Sequence, residues 1–354
     1  MNESTSFSVD GRGASENPEN RFHDTHREPD PEHTDHEAPP DPDTSVIRTQ
    51  PESILTQNDS PDVGFELSMN PYRGCEHGCI YCYARPTHEM LDFSSGLDFE
   101  SQIIAKENAP ALLKDELQDP SHTPQPIAIS GVTDPYQPVE EELEITRGCL
   151  DVLSNCNHPA SIITKNDLIL RDRDLLKRMA ECKTVVVNVS VTTLNSELAG
   201  KMEPRTSRPH RRLHTIEKLS DAGVPVNVMV APVVPGLTDH EIPDILQAAS
   251  EAGACSASYV MLRLPRDVKT LFQNWLDEEL PEKKNKIMNR IREIRDGDLN
   301  DTTFHRRMKG EGTFAEQVSS LFSVGCKQAG LNDAPPELRT DAFEPPSGPQ
   351  KKLF

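Results

Sequence analysis

Five short runs rich in apolar and β-branched residues recur along the middle of the chain: PIAIS (126–130), ASIIT (160–164), TVVVNVSV (184–191), VPVNVMVA (224–231) and SASYVMLR (256–263). Each is followed by a stretch of helical period, over 140–153, 171–181, 209–222, 239–252 and 268–276, the third opening with a proline. Strand-like runs alternating with amphipathic helices at intervals of roughly 25 to 40 residues read as βα units feeding a parallel sheet. A further strand in GFELSM (64–69) brings the total to about six units. That number suits an incomplete barrel. A doubly wound open sheet has the same periodicity and stands as the alternative.

The two ends have a different texture. Residues 1–45, which contain HDTHREPDPEHTDHEAPPDPDTS, are rich in Pro, Asp, Glu and His and nearly free of large apolar groups. Such a segment cannot bury enough surface to offset chain entropy and is expected to be a disordered acidic tail. His23, His26, His33 and His36 are read as part of that solvated tail rather than as a metal site. Beyond the core (46–278), EKKNKIMNRIREIRDG predicts a basic helix, and the sequence up to Gly330 a loop and a second helix. The expected organisation is a core over 46–278, a helical extension over 279–331 and a flexible tail over 332–354.

Charge and composition narrow the function classes. A net charge of -21 opposes non-specific attraction to nucleic acid or anionic membrane, though a local basic groove is compatible with it. No apolar run approaches membrane-spanning length, and the N-terminus lacks the basic start and apolar centre of a secretory signal, so the expected location is cytoplasmic. In a reducing compartment, eight cysteines point to metal or redox chemistry rather than to a disulfide framework.

Three of them stand close together in NPYRGCEHGCIYCYARPTHE (70–89), as C-x3-C-x2-C: Cys75, Cys79 and Cys82. Thiolates at this spacing on one loop can converge on one centre. Zinc would want a fourth ligand, with His77 or His88 at hand, but no second CxxC or HxxxH pair completes a compact zinc module. A [4Fe–4S] cluster usually takes four cysteines; with three, one iron is left open to a small molecule. Cys149, Cys156, Cys182, Cys255 and Cys326 are too scattered for a second centre and are read as core residues.

The cysteine spacing, with aromatic Tyr81 before the third cysteine, resembles the cluster signature of radical S-adenosylmethionine (SAM) enzymes. The likeness extends through GVTDPYQPVE, ITKND, VSVTTLNSELAGKMEPRTSRPHRRL, GVPVNVMVAPVVPGLTDHEIPDIL, YVMLRLPRDV and FHRRMKGEGTFAEQV, covering most of residues 58–331. Within that superfamily the chain resembles the spore photoproduct lyase-like group, often labelled "DNA repair photolyase", and a bacterial subfamily of unassigned substrate. The acidic tail lies outside the resemblance.

The resemblance implies a partial (β/α)6 TIM-type barrel with its site at the carboxyl ends of the strands. It implies a [4Fe–4S] cluster on Cys75, Cys79 and Cys82 and SAM chelated at the open iron. One electron then cleaves the sulfur–C5′ bond, and the 5′-deoxyadenosyl radical takes a hydrogen from substrate. For SAM it points to Tyr81 beside the cluster and adenine, Thr133 and Asp134 for the amino group, Lys165 and Ser190 for the carboxylate and ribose, and Ala231 near the adenine. A flavodoxin or ferredoxin would supply the electron.

Spore photoproduct lyase uses an extra cysteine as hydrogen-atom donor. None of the five scattered cysteines matches it, which leaves Tyr136 as a candidate donor and thymine-dimer repair in doubt. Arg205, Arg208, Arg211 and Arg212 read first as a solvated helix start. With Lys283, Lys284, Arg290, Arg292, Arg306, Arg307 and Lys309 they could form the basic rim a nucleic-acid substrate needs. A zinc-stabilised binding module is the non-enzymatic alternative.

Overall fold

The computed structural model describes residues 9, 11–22, 43–332 and 334–346. The tail histidines at 23, 26, 33 and 36 lie outside the described residues. Ten strands occur in chain order: β1 (Ser45–Thr49), β2 (Leu55–Gln57), β3 (Leu67–Met69), β4 (Tyr72–Arg73), β5 (Gln102–Lys106), β6 (Ile127–Ile129), β7 (Ala160–Thr164), β8 (Val185–Ser190), β9 (Val226–Val233) and β10 (Ser256–Met261). The larger sheet runs β10-β9-β8-β7-β6-β3-β2, with all pairs parallel except β2 against β3.

This order decides between the two architectures. From β3 to β10 each new strand is added on the same side of the last. Right-handed crossovers that never reverse direction put every connecting helix on one face and curl the sheet into an open barrel. A doubly wound sheet would need a reversal, and none occurs among the described strands. The fold is a partial (β/α)6 barrel.

Every residue of β8 is buried, while its neighbours β7 and β9 mix buried and partly exposed positions. Inside, a polar rung crosses four strands. Asn188 Nδ2 donates to Ser161 Oγ (2.9 Å), Asn227 Nδ2 donates to Asn188 Oδ1 (3.0 Å) and to Ser258 Oγ (3.0 Å). Asn188 and Asn227 are also register partners, so slipping one strand past the other would strand two buried amides.

Three features depart from the periodicity. The helix expected over 140–153 is two, Glu140–Leu143 and Ile145–Asn155, broken at Glu144, whose φ is 50°. The cause is Glu140: its carboxylate accepts from the amides of Thr146 (2.9 Å) and Arg147 (3.2 Å) and so caps the second helix. A small sheet, β1-β5-β4, lies beside the barrel and was not predicted, because its strands are short and β1 is largely exposed. The open edge is spanned by irregular chain: Met308 O accepts from Met261 N (2.9 Å) at β10. Arg307 pairs with Asp62 in the loop before β3, where His305 N also donates to Asp62 Oδ1 (2.5 Å).

The two C-terminal helices fall at Pro281–Glu293 and Thr313–Ala329, the latter ending at left-handed Gly330 (φ 71°). Residues 334–346 are irregular but docked. The amides of Arg339 and Glu344 donate to Lys183 O and Cys156 O (both 2.9 Å), and Phe343 packs edge-on against His122 and His158. No helix among the described residues is long and apolar enough to cross a membrane.

Burial, aided by neighbouring His122, pushes His158 down to about 4. The unfolded chain takes up this proton near pH 6.5 and the folded chain does not. The resulting stability is full above about pH 6.5 and lost as pH falls towards 4, at most about 3 kcal/mol. Urea unfolding at pH 7 and pH 5 should show the loss, and His158→Phe should shrink it; an equal pH dependence in the variant refutes the assignment.

Candidate functional site

The three cysteines occupy the loop between β4 and the short helix Leu97–Ser101. Two left-handed glycines shape it, Gly74 (φ 76°) and Gly78 (φ 64°); a Cβ at Gly74 would stand 2.9 Å from Gln102 O. Cys75 and Cys79 are buried, and Cys82 packs with both the Cys75 and the Cys79 sides of the loop. Burial raises all three thiols above their ordinary range, and the charges of Cys79 and Cys82 act on Cys75. Main-chain amides work the other way: Asp134 N–H favours the Cys75 thiolate, and Ala84 and Arg85 N–H favour that of Cys82.

The loop is held from behind by a buried ion pair, Arg85 with Glu100, both fully inaccessible. Arg85 Nε donates to Cys79 O (3.0 Å), Nη2 to Gly78 O (3.2 Å), and Nη1 to Ser95 O (3.2 Å) and Gly96 O (2.9 Å). The two oxygens of Glu100 accept from the amides of Ala14 and Gly13 (2.9 Å each), and Arg12 Nη1 donates to Glu100 O (2.7 Å). Residues 11–22, expected within the disordered tail, therefore form a strap against the cysteine loop. Its anchor is not apolar burial but a buried carboxylate that takes up backbone donors, a feature invisible to composition. Gly13 sits so close that any Cβ there would overlap the Gly78 carbonyl.

At the strand ends, Lys165 follows β7, Ser190 ends β8 and Ala231 lies in β9. These three expected residues converge. Lys165 Nζ donates to Ser190 Oγ (2.5 Å) and Ala231 O (2.9 Å) and stands 5.9 Å from the centre of the Tyr81 ring. Beneath them is a residue the sequence reading missed, Glu203. It accepts from Tyr81, Thr192 and Arg212 and lies 3.6 Å from Lys165 Nζ. Burial works against its charge, but Arg212 and Lys165 outweigh burial and hold its carboxyl at about 2. No local signal marked it, since its partners Arg212, Lys165 and Tyr81 come from three separate stretches of the sequence.

Asp134 joins the strand ends to the cysteine loop. Its Oδ1 accepts from Tyr136 N (2.9 Å) and Thr164 Oγ1 (2.8 Å), and its Oδ2 accepts from Lys165 N (2.8 Å) and faces His77 Nδ1 at 3.3 Å. Burial raises this carboxyl, but His77 and the amide donors prevail and keep it below its ordinary value. Thr133 Oγ1 donates to Tyr72 O (3.1 Å). Gln137 fixes the start of the loop on either side of Cys75, donating to Gly74 O (3.2 Å) and accepting from Glu76 N (2.9 Å).

Residues 69–249, just over half of the chain, match the Radical SAM superfamily. The chain belongs to that superfamily. It is accordingly an enzyme, and the cofactors of the family are a [4Fe–4S] cluster and SAM. An uncharacterized protein of Mycobacterium tuberculosis is 38% identical over 232 residues, spanning 65% of this chain and 67% of its own. One of Methanocaldococcus jannaschii is 28% identical over 229 residues, 64% of this chain and 81% of its own. Among solved structures, a spore photoproduct lyase variant shares the fold with a TM-score of 0.57, at 12% identity over 80% of this chain and 79% of that one.

Other expectations for this radical SAM chain need correcting. Tyr136 is fully buried and donates to Asp172 Oδ2 (3.1 Å), inside an ion-pair network with Arg147 and Arg171, so it is no hydrogen donor to a substrate. His77 is tied to Asp134. His88 lies between Phe93 and Phe99, and burial pushes it down to about 4. Among the described residues, no three His, Cys, Asp or Glu side chains gather closely enough to hold a single metal ion. The arginine run is a solvated helix start only in part: Arg208 and Arg211 are exposed, the latter paired with Asp167, whereas Arg205 pairs with Glu76 (3.5 Å) and Arg212 is buried on Glu203. The basic rim is largely neutralised too, with Lys284 on Asp277, Arg290 on Glu293, Arg306 on Asp301 and Glu311, and Arg307 on Asp62.

Two outcomes test the scaffold. Arg85→Met leaves Glu100 buried without its cation and should cost about 3–5 kcal/mol in urea unfolding; a loss below 1 kcal/mol would mean that the pair is dispensable. Gly13→Ala should detach the strap, speeding amide exchange over 75–82 in the apoprotein and lowering the iron retained after reconstitution. Gly64→Ala is the control, because a Cβ there meets nothing within 4 Å. Equal exchange and iron in the two variants would refute the strap's role.

Proposed function

We propose that Cys75, Cys79 and Cys82 hold the [4Fe–4S] cluster through three thiolates, and that SAM is held at the adjoining strand ends by Lys165, Ser190, Thr133, Tyr81 and the Ala231 main chain. The observation that carries this reading is the convergence of Lys165, Ser190 and Ala231 O beside Tyr81, one residue from Cys82. The donor set supports it. Zinc gathers its ligands around one ion at about 2.0–2.3 Å, whereas a cubane gives each thiolate its own iron, so it needs no single point of convergence.

Bound there, the two cofactors would supply radical chemistry able to remove a hydrogen atom from substrate. The chain's own part is positioning. An ammonium has three donors; Lys165 spends two on Ser190 and Ala231 and lies 3.6 Å from Glu203, so a SAM carboxylate would share the third with that buried anion. Glu203, ionised throughout the working pH range, holds the lysine, Arg212 and Tyr81 in one arrangement. The carboxylate of Asp134 already has four partners, so we assign it to orienting His77 and the Lys165 main chain, and leave the amino group of SAM to Thr133. Electrons come from a flavodoxin or ferredoxin in a reducing compartment, the cytoplasm. The pairing of the rim cations favours a substrate other than nucleic acid.

The test is anaerobic reconstitution followed by reduction with SAM present. Wild type should be brown and release 5′-deoxyadenosine. Cys79→Ala should release none, and Lys165→Met about 10-fold less, as expected for one charge-assisted hydrogen bond. A reduced, cluster-loaded wild type that leaves SAM intact overturns the proposal.

A further inference from the structure

Arg263 stands two residues beyond the end of β10, at the same carboxyl end of the sheet as Lys165 and Ser190. Its guanidinium lies over the Tyr83 ring, 5.3 Å from the centroid, and Tyr83 is the half-exposed residue that follows Cys82. The buried guanidiniums of the site hold buried carboxylates: Arg85 has Glu100 and Arg212 has Glu203. Arg263 has no such partner. Among the described residues no carboxylate lies within 4.0 Å of it, its Nη1 reaches only the Met308 sulfur (3.6 Å), and its buried Nε donates to nothing.

The surroundings make this more costly. Asp62, whose charge reaches Arg263, is already paired with Arg307, and Arg307 and Arg295 add positive charge nearby. A half-buried cation that forms no ion pair of its own is a liability to folding. Stability sacrificed at one point beside a reaction centre is the mark of a residue kept for a ligand.

We propose that Arg263 anchors an oxyanion, a phosphoryl or carboxylate group, carried by the substrate at the mouth of the site. That the anion belongs to the substrate rests on the cluster and SAM placement above; the anion site itself stands on the unpaired guanidinium. Tyr83 braces it: the phenol donates to Gly131 O (2.6 Å) in the loop after β6, so the ring spans the mouth from β6 to β10.

The experiment is thermal unfolding of the full-length, cluster-loaded protein under anaerobic conditions, in chloride, phosphate or acetate at equal ionic strength. Wild type should melt about 2 °C or more higher in phosphate or acetate than in chloride. Arg263→Met should melt no lower than wild type in chloride and gain nothing from either anion, and Arg263→Lys should keep part of the gain. Phosphate acting alone identifies a phosphoryl group; acetate acting alone or equally identifies a carboxylate. The proposal is overturned if wild type does not respond, if Arg263→Met responds as wild type does, or if Arg263→Met melts lower in chloride, which would make the cation structural. Release of 5′-deoxyadenosine is measured on the same samples. Normal release without an anion response removes the anchor alone, and an anion response without release removes the radical reading alone.

Discussion

The site depends on one fully buried ion pair, Arg85 with Glu100. The cysteine loop turns through two left-handed glycines and presents three sulfurs, so it has little apolar mass of its own to pin it. What fixes it is the five-donor fork of Arg85, which gathers carbonyls from both ends of the loop, and the carboxylate that keeps that fork in place. A buried pair of this kind need add little net stability compared with an apolar pair of the same size. Its contribution is geometric: with the guanidinium oriented, the peptides around Gly78 and Cys79 have one conformation available.

The same logic repeats at the strand ends with the sign of the hub reversed. Glu203 is the buried anion, and Lys165, Arg212, Tyr81 and Thr192 are arranged around it. Asp134 couples the two halves, because its carboxylate takes the Lys165 amide while its own amide points at the Cys75 sulfur. The cysteine loop and the strand-end residues are thus each oriented by a buried charge one layer behind, and that layer is built from residues far apart in sequence.

This separation explains what was legible in the sequence. The six parallel strands and their helices could be read because strand and helix periodicities are local. Lys165, Ser190 and Ala231 could be placed because each sits at or beside the end of a recognisable strand. Glu203, Glu100 and Arg85 could not, since an acidic or basic residue gives no local sign of whether its partner lies 9 positions away, as Arg212 does from Glu203, or 86, as Ala14 does from Glu100. Composition misled over residues 11–22 for a related reason: it weighs apolar content, and this segment is anchored by peptide N–H groups, which every residue but proline possesses. The split helix at Glu144 reflects the same blindness, a side-chain cap overriding a continuous helical period.

The strap has a bearing on the order in which the molecule is assembled. Residues 11–22 leave the ribosome ahead of everything they bind, and no docking place exists for them until residue 100 has been made. The contact that closes behind the cysteine loop therefore joins segments 86 to 87 positions apart in the chain. Until the strap docks, the buried Glu100 carboxylate lacks the two main-chain donors, Gly13 and Ala14, that complete its set of partners in the fold.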